Sequence, residues 1–198
     1  MIIELLKPYI QLSPLNETEV REIVAQSPSK HSILDPLPRT LLKKNIEYLI
    51  KPITILINKS LTTGNFPNKW KTAVITPLLK KQNLSLELKN YRPVSNLPFL
   101  SKILEKAALQ KLTTHFSLLD QFATSNSAYK AYYSTETLLT KISSDILTNM
   151  ENKKTTLLVM LDLSAAFDTV KIKTLIDIFE FKYNINGLSL QRIISYLT

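Results

Sequence analysis

Thr155-Thr-Leu-Leu-Val-Met-Leu-Asp-Leu-Ser-Ala-Ala-Phe-Asp-Thr-Val170 passes from five apolar residues, 157–161, straight to an acid, Asp162. An apolar run without polar alternation predicts a strand buried on both faces. Asp162 then falls where that strand leaves the core, a common place for chemistry in α/β folds. The small residues Ser164, Ala165 and Ala166 separate it from a bulky aromatic, Phe167. The same spacing also fits an Asp that merely ends a strand and caps a helix.

Toward the N-terminus, Asn90-Tyr-Arg-Pro-Val-Ser-Asn-Leu-Pro-Phe-Leu-Ser-Lys-Ile-Leu-Glu-Lys106 reads as an extended Arg92-Pro93 segment running into a helix. Ser95 or Asn96 is the expected cap, with Pro98 near the first turn. Leu100, Ile103, Leu104 and Ala107 form the expected buried stripe, leaving Lys102, Lys106 and Lys111 to solvent. Before it, the β-branched stretch 71–81 predicts a strand that Pro77 confines to a sheet edge, ending at Lys80 and Lys81. Trp70 suits a core anchor better than a stacking platform.

Between the two stretches lies Ser125-Asn-Ser-Ala-Tyr-Lys-Ala-Tyr-Tyr-Ser-Thr135. Ser134 is the expected cap of a following helix striped by Leu138, Leu139, Ile142, Ile146 and Leu147. Nearer the start, Asn16 and Glu19 predict a capping box and Gly64 a helix stop. Pro52 should split the helical region before Gly64 into two. After Val170 a helix is expected to about Tyr183, broken by Gly187, with Ser189 capping a last one.

Composition narrows the chemistry. The 198 residues are 44% hydrophobic, enough for one sizeable core or two small lobes. Two glycines leave no Gly-rich phosphate loop, and the absence of Cys excludes disulfides and thiolate zinc sites. No apolar run reaches membrane-spanning length, and the first ten residues lack a signal peptide's pattern, so a soluble intracellular protein, nuclear and cytoplasmic, is expected. Residues 1–50 and 116–198 each balance their charges, six against six and eight against eight. Residues 51–115 hold eleven basic side chains against Glu87 and Glu105 alone, which is the entire net charge of +9. Such a concentration suits a phosphate-bearing partner, and also a plain solvated lysine face.

In this order the three stretches resemble the reverse transcriptases of non-LTR (LINE-type) retrotransposons, over residues 34–198. The resemblance implies an α+β fold: the fingers and partial palm of a right-hand polymerase, with a helical extension over 1–64, fingers over 65–153 and partial palm over 154–198. It implies that Asp162 and the carbonyl of Leu163 hold divalent metal, Mg²⁺, and that Phe167 crowds a ribose 2′-hydroxyl and so selects deoxynucleotides. Oxygen ligands of this kind suit hard cations in phosphoryl transfer. It further implies that Arg92, with Lys80 or Lys81, contacts the nucleotide's phosphates, for which a planar guanidinium is apt. A structural ion pair is the alternative for Arg92. Tyr129 and Lys130 would help place the template. Here the sequence departs from its relatives, which usually have Gln, Arg and His where this chain has Asn126, Lys130 and Tyr133. It departs again at Lys171 and Ile172, where they have an acid and a His.

The implied partners are an RNA template, a DNA primer and deoxynucleotides, with no membrane. The family's palm also needs an aromatic-Ala-Asp-Asp box. The six aspartates, at 35, 120, 145, 162, 168 and 177, include no adjacent pair. The sequence therefore predicts a fragment of an RNA-directed DNA polymerase that is inactive by itself. A basic nucleic-acid-binding remnant without catalysis is the alternative.

Overall fold

A computed structural model of the chain describes residues 10, 12–28, 32–118, 126–162 and 166–198. It divides into a larger unit, Met1–Leu119 with Ile172–Thr198, and a smaller one, Asp120–Lys171. The architecture is α+β and helix-rich. In the larger unit α1 (Glu17–Gln26), α2 (Arg39–Lys44), α3 (Ile46–Thr63) and the short α4 (Asn68–Lys71) precede a two-stranded antiparallel sheet. Its strands are β1 (Val74–Leu79) and β2 (Tyr91–Asn96), and α5 (Phe99–Leu118) follows. The smaller unit holds α6 (Thr135–Glu151). The chain then returns through α7 (Ile172–Asp177), a π-helical turn (Ile178–Lys182) and α8 (Gly187–Leu197).

The core of the larger unit forms where α1, α3, α5 and α8 turn their apolar stripes together. Val20, Ile23 and Val24 meet Ile53, Ile57 and Leu61, with Ile103, Leu104, Ala107 and Ile193 closing the cluster. Each such aliphatic side chain contributes about 1.5–3 kcal/mol by leaving water. Trp70 packs, partly buried, against this cluster, as the sequence predicts.

Local signals set several boundaries. Asn16 accepts from the Glu19 amide and Glu19 from the Asn16 amide, completing the box that opens α1. Gly64 ends α3 in the left-handed region at φ 67°, and a Cβ there would lie 3.1 Å from the Leu188 carbonyl oxygen, so both backbone and space favour glycine.

Other expectations need correction. Pro52 does not divide the helix. The break falls at Asn45, whose side-chain amide donates to the Leu41 carbonyl, and α3 runs through Pro52. The carbonyl that loses its bond belongs to Tyr48, an exposed residue, where water can replace the missing donor. The cap of α5 is neither Ser95 nor Asn96. The carboxylate of Asp35, 64 residues earlier, accepts from the Phe99 amide at 2.5 Å. Ser189 does not cap α8 either, being buried inside it. Its hydroxyl accepts from the Leu12 amide and donates to the Ile10 carbonyl, tying the chain's early segment to its last helix.

The largest correction concerns 157–161. These residues form no strand and are exposed, from 55% at Leu158 to 90% at Leu161. A strand buried on both faces needs a ladder partner, and among the described residues the two strands pair only with each other. The α6 stripe is likewise uncovered, with Leu139 and Leu147 exposed. Exposed apolar backbone of this kind pairs with other chains. The full chain is therefore expected to self-associate in light scattering at about 1 µM to 1 mM. Val159→Lys should reduce that association. A monomer throughout that range would show the segment to be covered in solution.

Candidate functional site

The basic residues singled out in the sequence meet on the β1–β2 ribbon. Its register sets Arg92 across from Leu78 and Pro93 across from Pro77. Directly opposed residues share a face, and faces alternate along a strand. The ladder continues one step past β1, where the Lys80 amide donates to the Asn90 carbonyl at 2.8 Å. Lys80 thus lies two residues beyond Leu78 on the face that carries Arg92, and Lys81 follows in the bend beyond the strand.

The paired prolines suit a two-stranded ribbon, since neither can donate to a ladder and a ribbon has free edges. The connecting loop is braced from within. Asn90 donates to the carbonyl and hydroxyl of Ser85, both at 2.9 Å, and Lys80 Nζ donates to the Lys89 carbonyl at 2.7 Å. Lys89 also pairs with Glu87 at 2.6 Å, and together with Ser85 holds that carboxyl below its usual range. Arg92 and Lys81 are exposed, and among the described residues no ion pair engages either one. An exposed guanidinium and two lysines at one end of a stiff ribbon can contact phosphate oxygens directly.

Behind the ribbon is a support that the sequence reading did not find. Asp35 and Arg39 form a buried ion pair, Nε to Oδ2 at 2.9 Å, with side chains only 4% and 2% exposed. Arg39 also reaches the Leu97 carbonyl at 3.4 Å and lies over the Phe99 ring at 5.0 Å. Asp35 uses its other oxygen on the Phe99 amide. One carboxylate thus fixes the joint where β2 passes into α5. The signal available in the sequence was the four-residue spacing of Asp35 and Arg39, which puts opposite charges within reach of each other.

In the smaller unit, Ser134 and Thr137 complete a capping box that opens α6. Just before it, Tyr129 and Tyr132 adopt left-handed φ of 57° and 66° and are almost wholly exposed, at 95% and 101%. Bulky residues are uncommon in that region, so the turn presents its rings to solvent against a conformational cost. Lys130 lies with Nζ 4.6 Å from the centre of the Tyr133 ring, a cation–π contact. Asp162 is exposed and Phe167 is 78% exposed, at the start of a turn over 166–169. Leu163 lies outside the described residues. Asp168 sits within that turn, and α7 begins only at Ile172, so Asp168 does not cap it.

Among the described residues no three His, Cys, Asp or Glu side chains gather in a way that could hold a metal ion. Asp162 alone therefore does not amount to a metal site, since a hard divalent cation needs several oxygen ligands. Among the described residues no helix is long and apolar enough to cross a membrane.

The family model for reverse transcriptase (RNA-dependent DNA polymerase) matches residues 79–194. The match begins at the end of β1 and takes in the ribbon's second strand, the tyrosine turn, Asp162 and Phe167. The RNA-directed DNA polymerase from mobile element jockey of Drosophila melanogaster is 28% identical over 162 residues, 81% of this chain and 18% of that protein. Its counterpart from Drosophila funebris is 27% identical over 175 residues, 86% of this chain and 19% of that protein. The chain thus spans less than a fifth of the length of these curated relatives.

Proposed function

The chain belongs to the reverse transcriptase family, in its non-LTR retrotransposon branch, and from that membership we propose that it supplies the fingers and the first part of the palm to RNA-directed DNA synthesis. The observation that carries this reading is the family match across 79–194, which includes both the exposed Arg92–Lys80 face and Asp162. In this reading Arg92, Lys80 and Lys81 hold the phosphates of an incoming deoxynucleotide. Guanidinium and ammonium groups on a two-stranded ribbon neutralise charge without the entropic cost of ordering a loose loop. Tyr129 and Lys130 place the template, a ring for a base and a cation for the backbone. Phe167 stands beside the sugar and excludes a 2′-hydroxyl by size.

Asp162 serves as one carboxylate of the divalent-metal site of the full-length enzyme, with the Leu163 carbonyl beside it, and the metal is Mg²⁺. Bound there, the metal would neutralise charge developing on the transferred phosphoryl group. Among the described residues no further carboxylates gather to complete such a site, so the partners, the RNA template and the DNA primer, are expected to bind here without the primer being extended.

Binding itself gives the test. Affinity for a primed RNA template should fall steeply with salt, because phosphate contacts release counterions. Replacing Lys80, Lys81 and Arg92 together with Ala should reduce the slope of log K against log salt by about 2 to 3. An unchanged slope would return these residues to a plain solvated face. Binding with that slope but without synthesis in the full-length protein would favour the non-catalytic basic module instead.

A further inference from the structure

The larger unit contains a groove of about 660 Å³ that none of the polymerase residues above line. Its walls come from α5, α7, the π-helical turn and α8, joined by residues after α1, by α2 and by the end of β2, and Leu109, Leu112, Leu175 and Phe179 make them apolar. Volumes of this size hold small molecules, which sit in apolar clefts carrying a few polar groups. Among its charged lining residues, Arg39, Lys102, Glu105, Lys106 and Arg192, the one with unpartnered buried donors is Arg192. It lines the groove, is only 3% exposed, and lies over the Phe66 ring at 5.4 Å. Its Nε and Nη2 are buried with no hydrogen-bond partner.

Two buried guanidinium nitrogens without acceptors are costly, because their donors have given up water for nothing in return. Burial lowers the pKa of Arg192 to about 10, which still leaves it charged at neutral pH. Glu105 also lines the groove and supports that charge electrostatically, and its Oε1 is engaged elsewhere. It accepts from the Tyr196 hydroxyl at 3.1 Å and from Ser101 at 3.5 Å.

We propose that this groove is a binding site for a small amphiphilic carboxylate, its apolar body against Leu109, Leu112, Leu175 and Phe179 and its head on Arg192. A carboxylate matches the planar fork of the guanidinium and carries one negative charge. The site rests on the cavity and the buried guanidinium and stands apart from the polymerase reading.

Calorimetric titration of the full chain with octanoate, and with its neutral counterpart octanamide, tests the proposal. Octanoate should bind at one site, and octanamide weaker by about tenfold or more. Arg192→Met should bring octanoate down to the level of the amide. Should that variant fail to melt cooperatively, Leu109→Asp decides, because Leu109 is 61% exposed and tolerates the change while placing a like charge in the groove. Loss of octanoate binding in Leu109→Asp supports the site. Equal affinities for acid and amide, no octanoate binding, or binding unchanged by Leu109→Asp would each overturn it.

Discussion

Asp35→Ala is expected to destabilise the chain by about 3–5 kcal/mol, a large share of the total stability of a domain this size. The substitution leaves Arg39 as a buried charge against the Leu97 carbonyl and the Phe99 ring, with no anion to balance it. It also removes the acceptor at the start of α5, a cap whose loss alone costs about 1 kcal/mol. Asp35→Asn keeps an oxygen for the Phe99 amide but gives up the ion pair, so an intermediate loss is expected. Urea denaturation followed by circular dichroism measures all three proteins. A midpoint for Asp35→Ala within about 0.5 kcal/mol of the parent, the range of ordinary surface changes, would mean that the brace contributes nothing. Because the brace fixes the joint between β2 and α5, partial unfolding there should also weaken nucleic-acid binding.

The second large effect is catalytic. The chain by itself should show no detectable extension of a DNA primer on an RNA template. Joining it to the remaining palm and thumb of a jockey-type relative should bring synthesis up from that background, provided Asn126, Lys130 and Tyr133 serve the template as well as the residues usually found there. In that chimera Phe167→Val should admit ribonucleotides, since shortening the side chain opens room for a 2′-hydroxyl. Discrimination between deoxy- and ribonucleotides, measured as the ratio of kcat/KM values, should fall by tenfold or more, about 1.4 kcal/mol of differential transition-state binding. An unchanged ratio would remove Phe167 from the sugar pocket.

The features most legible in the sequence are those decided by a few neighbouring residues. The caps at Asn16 and Ser134, the stop at Gly64 and the strand ending near Lys80 each follow from local backbone chemistry, and each is found. Where the deciding partner is remote, local pattern fails. Nothing around Phe99 announces that Asp35 will cap its helix, and nothing around Ser189 announces that its hydroxyl will bind the segment at Ile10 and Leu12. Pro52 misleads for a different reason. Its cost depends on whether the carbonyl it deprives can reach water, which is a property of the fold rather than of the proline.

The run 157–161 is legible as a segment that wants burial, yet hydrophobicity states a requirement without naming what meets it. The candidate site divides in the same way. Residue types and order suggested Arg92 and Lys80, but only the register places them on one face. The conformational cost borne by Tyr129 and Tyr132 has no signature in composition at all.

The most direct test of the account is Asp162→Asn in the chimera with the complete palm. The substitution keeps size and shape while removing the negative charge that a divalent cation requires. Primer extension on RNA should fall by about 10³-fold or more, equivalent to about 4 kcal/mol of transition-state stabilisation, while template affinity stays unchanged. Primer extension that persists at the parent rate in Asp162→Asn would contradict the assignment of Asp162, and with it the reading of this chain as the metal-bearing start of a polymerase palm.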